Sequence, residues 1–158
     1  MQLLRISSAL LPALALLLAS CADSPINPLT DSMSATVSGA AWSTVVASAV
    51  NSNGITAISG TRSITSATDV IVIDLPTVTA TGTYTLGGVN TAAAHYRRDS
   101  INYTTTPLSL SSTGTVTITE LGNGRIGGTF GFTAYRNGDP STLDSVVVSG
   151  GSFSVKLN

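Results

Sequence analysis

Between Thr113 and Ala134, apolar side chains recur at every second position on both sides of one glycine-rich turn. Val116 and Ile118 fall on one face of the first run, and Thr115, Thr117 and Thr119 on the other. After Gly122-Asn123-Gly124 the pattern resumes, and Ile126, Gly128, Phe130, Phe132 and Ala134 share a face. A period of two turns alternate residues to opposite faces of a pleated strand, whereas a helix needs a period near 3.6. The two runs therefore predict an antiparallel hairpin. A lone hairpin is at best marginal in water, so its apolar face has to be covered by other elements.

The rest of the sequence offers mainly more strands. Ala35 to Val37 begins one, Thr44 to Val50 another, and Ile55 to Arg62 follows across Asn51-Ser52-Asn53-Gly54. Asn-Gly fits the type I′ turn of a tight hairpin, which requires positive φ at both central residues. Asp69 to Leu75 is nearly continuous apolar sequence, as in a strand buried on both faces or at a sheet centre. Gly82 to Leu86 is short and closed by Gly87-Gly88, and Ala93 to Tyr103 holds one or two strands. Asn137-Gly138-Asp139-Pro140 turns the chain into Leu143 to Val148, and after Gly150-Gly151 a final strand aligns Phe153, Val155 and Leu157. Eight to ten short strands at hairpin spacing predict an all-β domain over residues 33–158, an antiparallel β-sandwich or small β-barrel. Charged residues make up 9% and hydrophobic residues 42%. That is neither the low hydrophobicity nor the high net charge of a disordered chain.

The N-terminus carries an address. Arg5 precedes an apolar run from Ala9 to Ala19, interrupted only by Pro12. The run is shorter than the ~20 residues a permanent membrane span takes. It ends in Leu18-Ala19-Ser20-Cys21, which resembles the lipobox of bacterial lipoprotein precursors. That resemblance implies a signal helix over residues 1–20, removed on export, and acyl chains on Cys21 that hold the protein in a membrane. Two or more chains give stable anchoring where one gives only marginal binding. Cys21 is the sole cysteine, so it has no internal disulfide partner. Ala22 stands where an aspartate would resemble an inner-membrane retention signal, which favours the outer membrane. Residues 21–32, with Pro25 and Pro28 among turn-forming residues, read as the lipidated cysteine and a flexible tether.

From Thr36 to Leu157 the chain resembles an uncharacterised family of bacterial lipoprotein domains, best known from Bacteroidetes-type organisms. The matching residues are Val37-Ser38-Gly39 with Trp42, Ile58-Ser59-Gly60-Thr61-Arg62, Gly82-Thr83-Tyr84 and Gly114-Thr115-Val116-Thr117-Ile118-Thr119. Ile126-Gly127-Gly128-Thr129-Phe130 with Phe132, and Gly151-Ser152-Phe153, complete the series. The resemblance implies a sandwich-like or barrel-like domain and no activity.

Candidate chemistry is sparse. Net charge is −1 and the basic residues are scattered, which excludes the concentrated positive footprint of nucleic-acid binding. His95 is the sole histidine; no nucleophile-elbow sequence presents a serine to it, and it reads as a loop residue in a polar stretch. A zinc site would need further His or Cys ligands, so no metal or cofactor is expected. Asp69 and Asp74 are the nearest thing to paired carboxylates, but their spacing puts them on opposite faces of a strand. They read as strand-end and turn residues. Asp139, Ser141 and Asp144 offer too few oxygens for calcium and lack EF-hand spacing. Trp42, beside Gly39, reads as core. Asp31-Ser32-Met33, Asp99-Ser100-Ile101 and Asp144-Ser145-Val146 resemble a short bacterial O-glycosylation motif, and Asn102-Tyr103-Thr104 fits the eukaryotic sequon.

Tyr96, Arg97, Arg98 and Tyr103 form the most recognition-like segment, since arginine and tyrosine are favoured at binding surfaces. The competing reading is a solvated edge strand that discourages aggregation. Three functions follow in order of expectation. The first is a non-enzymatic, lipid-anchored envelope module, structural or interacting with a protein or glycan. The second is a lipocalin-like barrel with an apolar ligand inside, and the third a hydrolase.

Overall fold

Eleven strands build the domain in the computed structural model, which describes residues 30–158 except 65, 66, 89, 106–112 and 143. Cys21, the leader and most of the expected tether lie outside the described residues. In chain order the strands are β1 Ser32–Val37, β2 Ala40–Ser43, β3 Val46–Ser52, β4 Ile55–Ile64, β5 Ala67–Pro76 and β6 Gly82–Leu86. Then follow β7 Ala93–Arg98, β8 Ile101–Thr104, β9 Gly114–Gly122, β10 Arg125–Arg136 and β11 Ser145–Lys156. The only helical element among the described residues is a single 3-10 turn, Pro140–Thr142.

Every strand pairing is antiparallel, and the order β2-β1-β11-β10-β8-β7-β5-β4-β3 runs through one continuous sheet, with β9 on β10 and β6 on β9. The sheet bends over on itself, so its two halves face each other across one core. One bend is at β8–β10, where Tyr135 pairs with Thr104 and Arg136 with Tyr103. The other is where the chain leaves β2: Thr44 N–H still bonds Met33 on β1, and Val45 N–H already bonds Thr61 on β4. A parallel bridge between Ala49 and Leu157 ties β3 to the end of β11. The all-β expectation holds: the fold is an open antiparallel sheet of eleven strands, consistent with a β-sandwich or barrel-like architecture.

Turn chemistry fixes the registers. Asn53-Gly54 has φ of 51° and 80°, and Asn123-Gly124 has 52° and 69°. These are the left-handed values a two-residue hairpin needs, and asparagine and glycine are the residues that reach them most readily.

One reading changes at the C-terminus. The two expected strands around Gly150-Gly151 are a single strand, β11, with a bulge. Phe130 pairs with Gly151 but Phe132 with Val148, so β11 carries one extra residue there. β1 meets the same bulge, since Ser34 pairs with Ser152 and Thr36 with Ser149. Gly150, at φ 58°, makes the kink. The extra residue switches inward parity from Val146 and Val148 to Phe153 and Val155, and all four are buried.

Inward residues from both halves form one cluster, including Trp42, Ile58, Ile71, Ile73, Leu86, Val116, Ile126, Phe132 and Val155. Phe130 packs against Phe132 and Phe153, with ring centroids 6.3 and 6.2 Å apart. The face shared by Ile126, Gly128, Phe130, Phe132 and Ala134 is buried along its whole length. The inward positions of the strands are thus taken up by packed side chains, where the lipocalin-like alternative would place a ligand.

Candidate functional site

Strand β5 lies between β4 and β7, paired on both edges but third from the β3 end of the strand order, and it is buried on one face only. Its alternation sorts the polar groups of the neighbourhood onto two faces. Asp69, Ile71, Ile73 and Leu75 point inward and are buried, whereas Val70, Val72 and Asp74 point outward and are half-buried.

On the inner face, register aligns three charged residues in one row. Arg62 on β4 pairs with Asp69, and Asp69 pairs with Arg98 on β7. The Asp69 side chain is 0% exposed. It accepts hydrogen bonds from Arg98 Nε at 2.9 Å and Nη2 at 3.2 Å, and from Arg62 Nη2. Arg62 Nη1 also donates to the Ala41 carbonyl at 2.9 Å, which ties β4 to β2. Burial alone would raise the Asp69 pKa, but hydrogen bonds and charge from Arg98 and Arg62 outweigh it, and the net shift is downward. The Arg98 pKa is raised, chiefly by its bond to Asp69. An aspartate held ionised this firmly is poorly matched to proton transfer near neutral pH.

Two tyrosines complete this end of the domain. The Tyr96 ring lies 6.2 Å from that of Tyr103, and the Arg98 guanidinium 6.0 Å from the Tyr96 centroid, at the outer range of a cation–π contact. The buried Tyr96 hydroxyl has no hydrogen-bond partner of ordinary geometry among the described residues. Burial, and then the nearby Asp69 charge, raise its pKa. Burial and the Asp144 carboxylate raise that of Tyr103. Asp144 in turn meets Arg136 at 3.3 Å.

On the outer face, His95 Nε2 lies 3.5 Å from an Asp74 carboxylate oxygen. Val70, Val72, His95, Arg97 and Asn102 line a solvent-open cavity of about 260 Å3. Neighbours across the strands account for it: Val70 stands opposite Arg97 and Arg97 opposite Asn102, while Val72 stands opposite His95.

The structure divides the recognition segment. Tyr96, Arg98 and Tyr103 share the inner face with Asp69, Tyr96 being 2% exposed, while Arg97 is exposed on the outer face. The four do not make one surface, because period-two alternation separates Arg97 from its neighbours. His95 is a strand residue facing Asp74, not a loop residue. Asp69 and Asp74 lie on opposite faces as their spacing predicts, but neither is a strand-end residue. The buried Arg–Asp–Arg row was missed at the sequence level. Its available signal was a charged residue on the apolar parity of β5. Trp42 is buried. Asp139 accepts bonds from the Ser141 N–H at 2.9 Å and hydroxyl at 2.6 Å, which close a local turn.

The model of a protein family described as Domain of unknown function (DUF6252) matches residues 30–155. The chain belongs to that family. The match starts two residues before β1 and ends inside β11, so this DUF6252 domain is the β domain itself. No curated protein and no solved structure matches the chain.

Proposed function

We propose that this protein is lipid-anchored through Cys21 at the bacterial outer membrane, and that its β domain is a non-enzymatic structural or interaction module. The anchor reading rests on Leu18-Ala19-Ser20-Cys21 at the end of a short apolar run, with no second cysteine in the chain. The module reading is supported by where three of the aspartates go. Asp69 is spent on Arg62 and Arg98, Asp144 on Arg136, and Asp31 on Arg125 at 3.1 Å. These contacts tie strands together and make use of carboxylates that acid–base chemistry would need free. Low charge on the outer face of β3, β4 and β5, with Val46 63% exposed, suits a contact surface.

Intact mass and membrane fractionation of the full chain expressed in a bacterium test the anchor, with Cys21→Ala alongside. The expected wild type lacks residues 1–20, carries the added mass of acyl chains and stays with the membrane, while the variant is soluble or unprocessed. A wild type released without acyl mass would refute the anchor.

A further inference from the structure

We propose that the outer-face cavity on β5, β7 and β8 is a binding site for a small amphipathic monoanion, a carboxylate on a short hydrocarbon body. This inference stands apart from the lipid anchor and puts the ligand outside the core.

Three observations converge on that chemistry. The first is the arrangement of the lining. Val70 and Val72 supply an apolar floor from the central strand, and Arg97, Asn102 and His95 stand beside it on β7 and β8. Pockets that hold small molecules combine a mainly apolar lining with a few placed polar groups in this way.

The second observation is the state of Arg97. Arg62, Arg98, Arg125 and Arg136 each form an ion pair with an aspartate. Among the described residues Arg97 is the one arginine with no carboxylate partner, and it borders the cavity. A guanidinium presents a planar fork that matches a carboxylate with two parallel hydrogen bonds. Asn102, its cross-strand partner, adds an amide able to donate to the same group.

The third observation places the charge. Asp74 stands 3.5 Å from His95 on the far side of the cavity. That carboxylate disfavours an anion at its own end, so the charged group sits at the Arg97 end and turns its hydrocarbon toward Val70 and Val72. The volume of about 260 Å3 suits a body of a few carbons, since drug-sized ligands take cavities of roughly 300 Å3 or more.

Hexanoate is the probe, titrated into the full-length protein as isolated and followed by 1H–15N shifts. Saturable shifts are expected at Val70, Val72, His95, Arg97 and Asn102. Hexanol, the same chain without the charge, should bind at least about tenfold more weakly, as expected for loss of a charge-assisted hydrogen bond. Acetate, the same charge without the chain, should also bind more weakly, and Arg97→Gln should weaken hexanoate about tenfold. Arg97 is exposed and unpaired, so its replacement leaves the fold intact, which the unshifted remainder of the spectrum would verify. Hexanol or acetate binding as well as hexanoate would overturn the amphipathic assignment. Unsaturable shifts, or an Arg97→Gln variant that binds hexanoate like wild type, would overturn the site.

Discussion

At the scale of single residues, Asp69 is the most consequential polar group in the domain. Its neutralisation by two arginines from neighbouring strands makes its burial tolerable, and removing its charge leaves both guanidiniums without their counter-ion. Arg98 is half exposed and can rehydrate, whereas Arg62 is largely covered. We therefore expect Asp69→Asn to lower the unfolding free energy by about 2–4 kcal/mol in urea denaturation. The sign of its pH dependence follows from the depressed folded-state pKa. The stabilisation is fully present above the ordinary carboxylate value, near 3.9, and is lost as pH falls through the lower folded value. The difference in unfolding free energy between wild type and Asp69→Asn should stay constant from neutral pH down to about 5 and shrink below about 4. A difference that does not change with acidification would show that the charge of Asp69 contributes nothing. Sequence reading places Asp69 and Asp74 on separate faces, because parity is visible in one strand. It does not find Arg62 and Arg98, since the row that joins them is set by the pairing of three strands.

At the scale of elements, the β9–β10 hairpin separates two uses of glycine. Gly124 sits in the turn at φ 69° with open space where a side chain would go, so Gly124→Ala should cost only the left-handed strain, about 1 kcal/mol. Gly128 sits on the buried face beside a register shift in β9, and a Cβ there would collide with the Thr117 carbonyl oxygen and crowd the Phe153 ring. Gly128→Ala should cost more, about 1–3 kcal/mol, because backbone has to move. Paired thermal or urea denaturation of the two variants measures the order, and equal losses would contradict the packing account. Hairpins were the most legible part of the fold, since Asn-Gly turns and alternation are local. The bulge at Gly150 was not: Gly150-Gly151 resembles a turn, and only the two neighbouring strands show that β11 continues through it.

For the whole molecule, closure depends on β1, which occupies the gap between β2 and β11 and gives Met33, Ala35 and Val37 to the core. Its pairing with β2 is local, but its pairing with β11 joins positions more than a hundred residues apart. A chain starting at Thr30 should melt cooperatively, whereas one starting at Gly39 should lose its cooperative transition by circular dichroism. A cooperative melt for the shorter chain would mean that the two halves of the sheet hold together without this strand. The all-β class was within reach of the sequence, but the count was short, eight to ten strands expected against eleven, and the joining of β8 to β10 was not legible, because no local pattern marks it.

The pairing of β1 with β11 also bears on how the domain would carry load. Asp31 accepts the Lys156 N–H at 2.8 Å, and Ser32 pairs with Ser154, so residues 31 and 156 emerge side by side. Tension between those two points would open the ladder like a zip, one rung at a time from that end. A pull between residue 31 and the opposite end of the sheet, where Val37 meets Val148, would instead run along β1 and strain its bonds to β2 and β11 together in shear. A tether leaving at residue 31 would thus make the domain yield easily to a load on its C-terminal side and resist one on its far end.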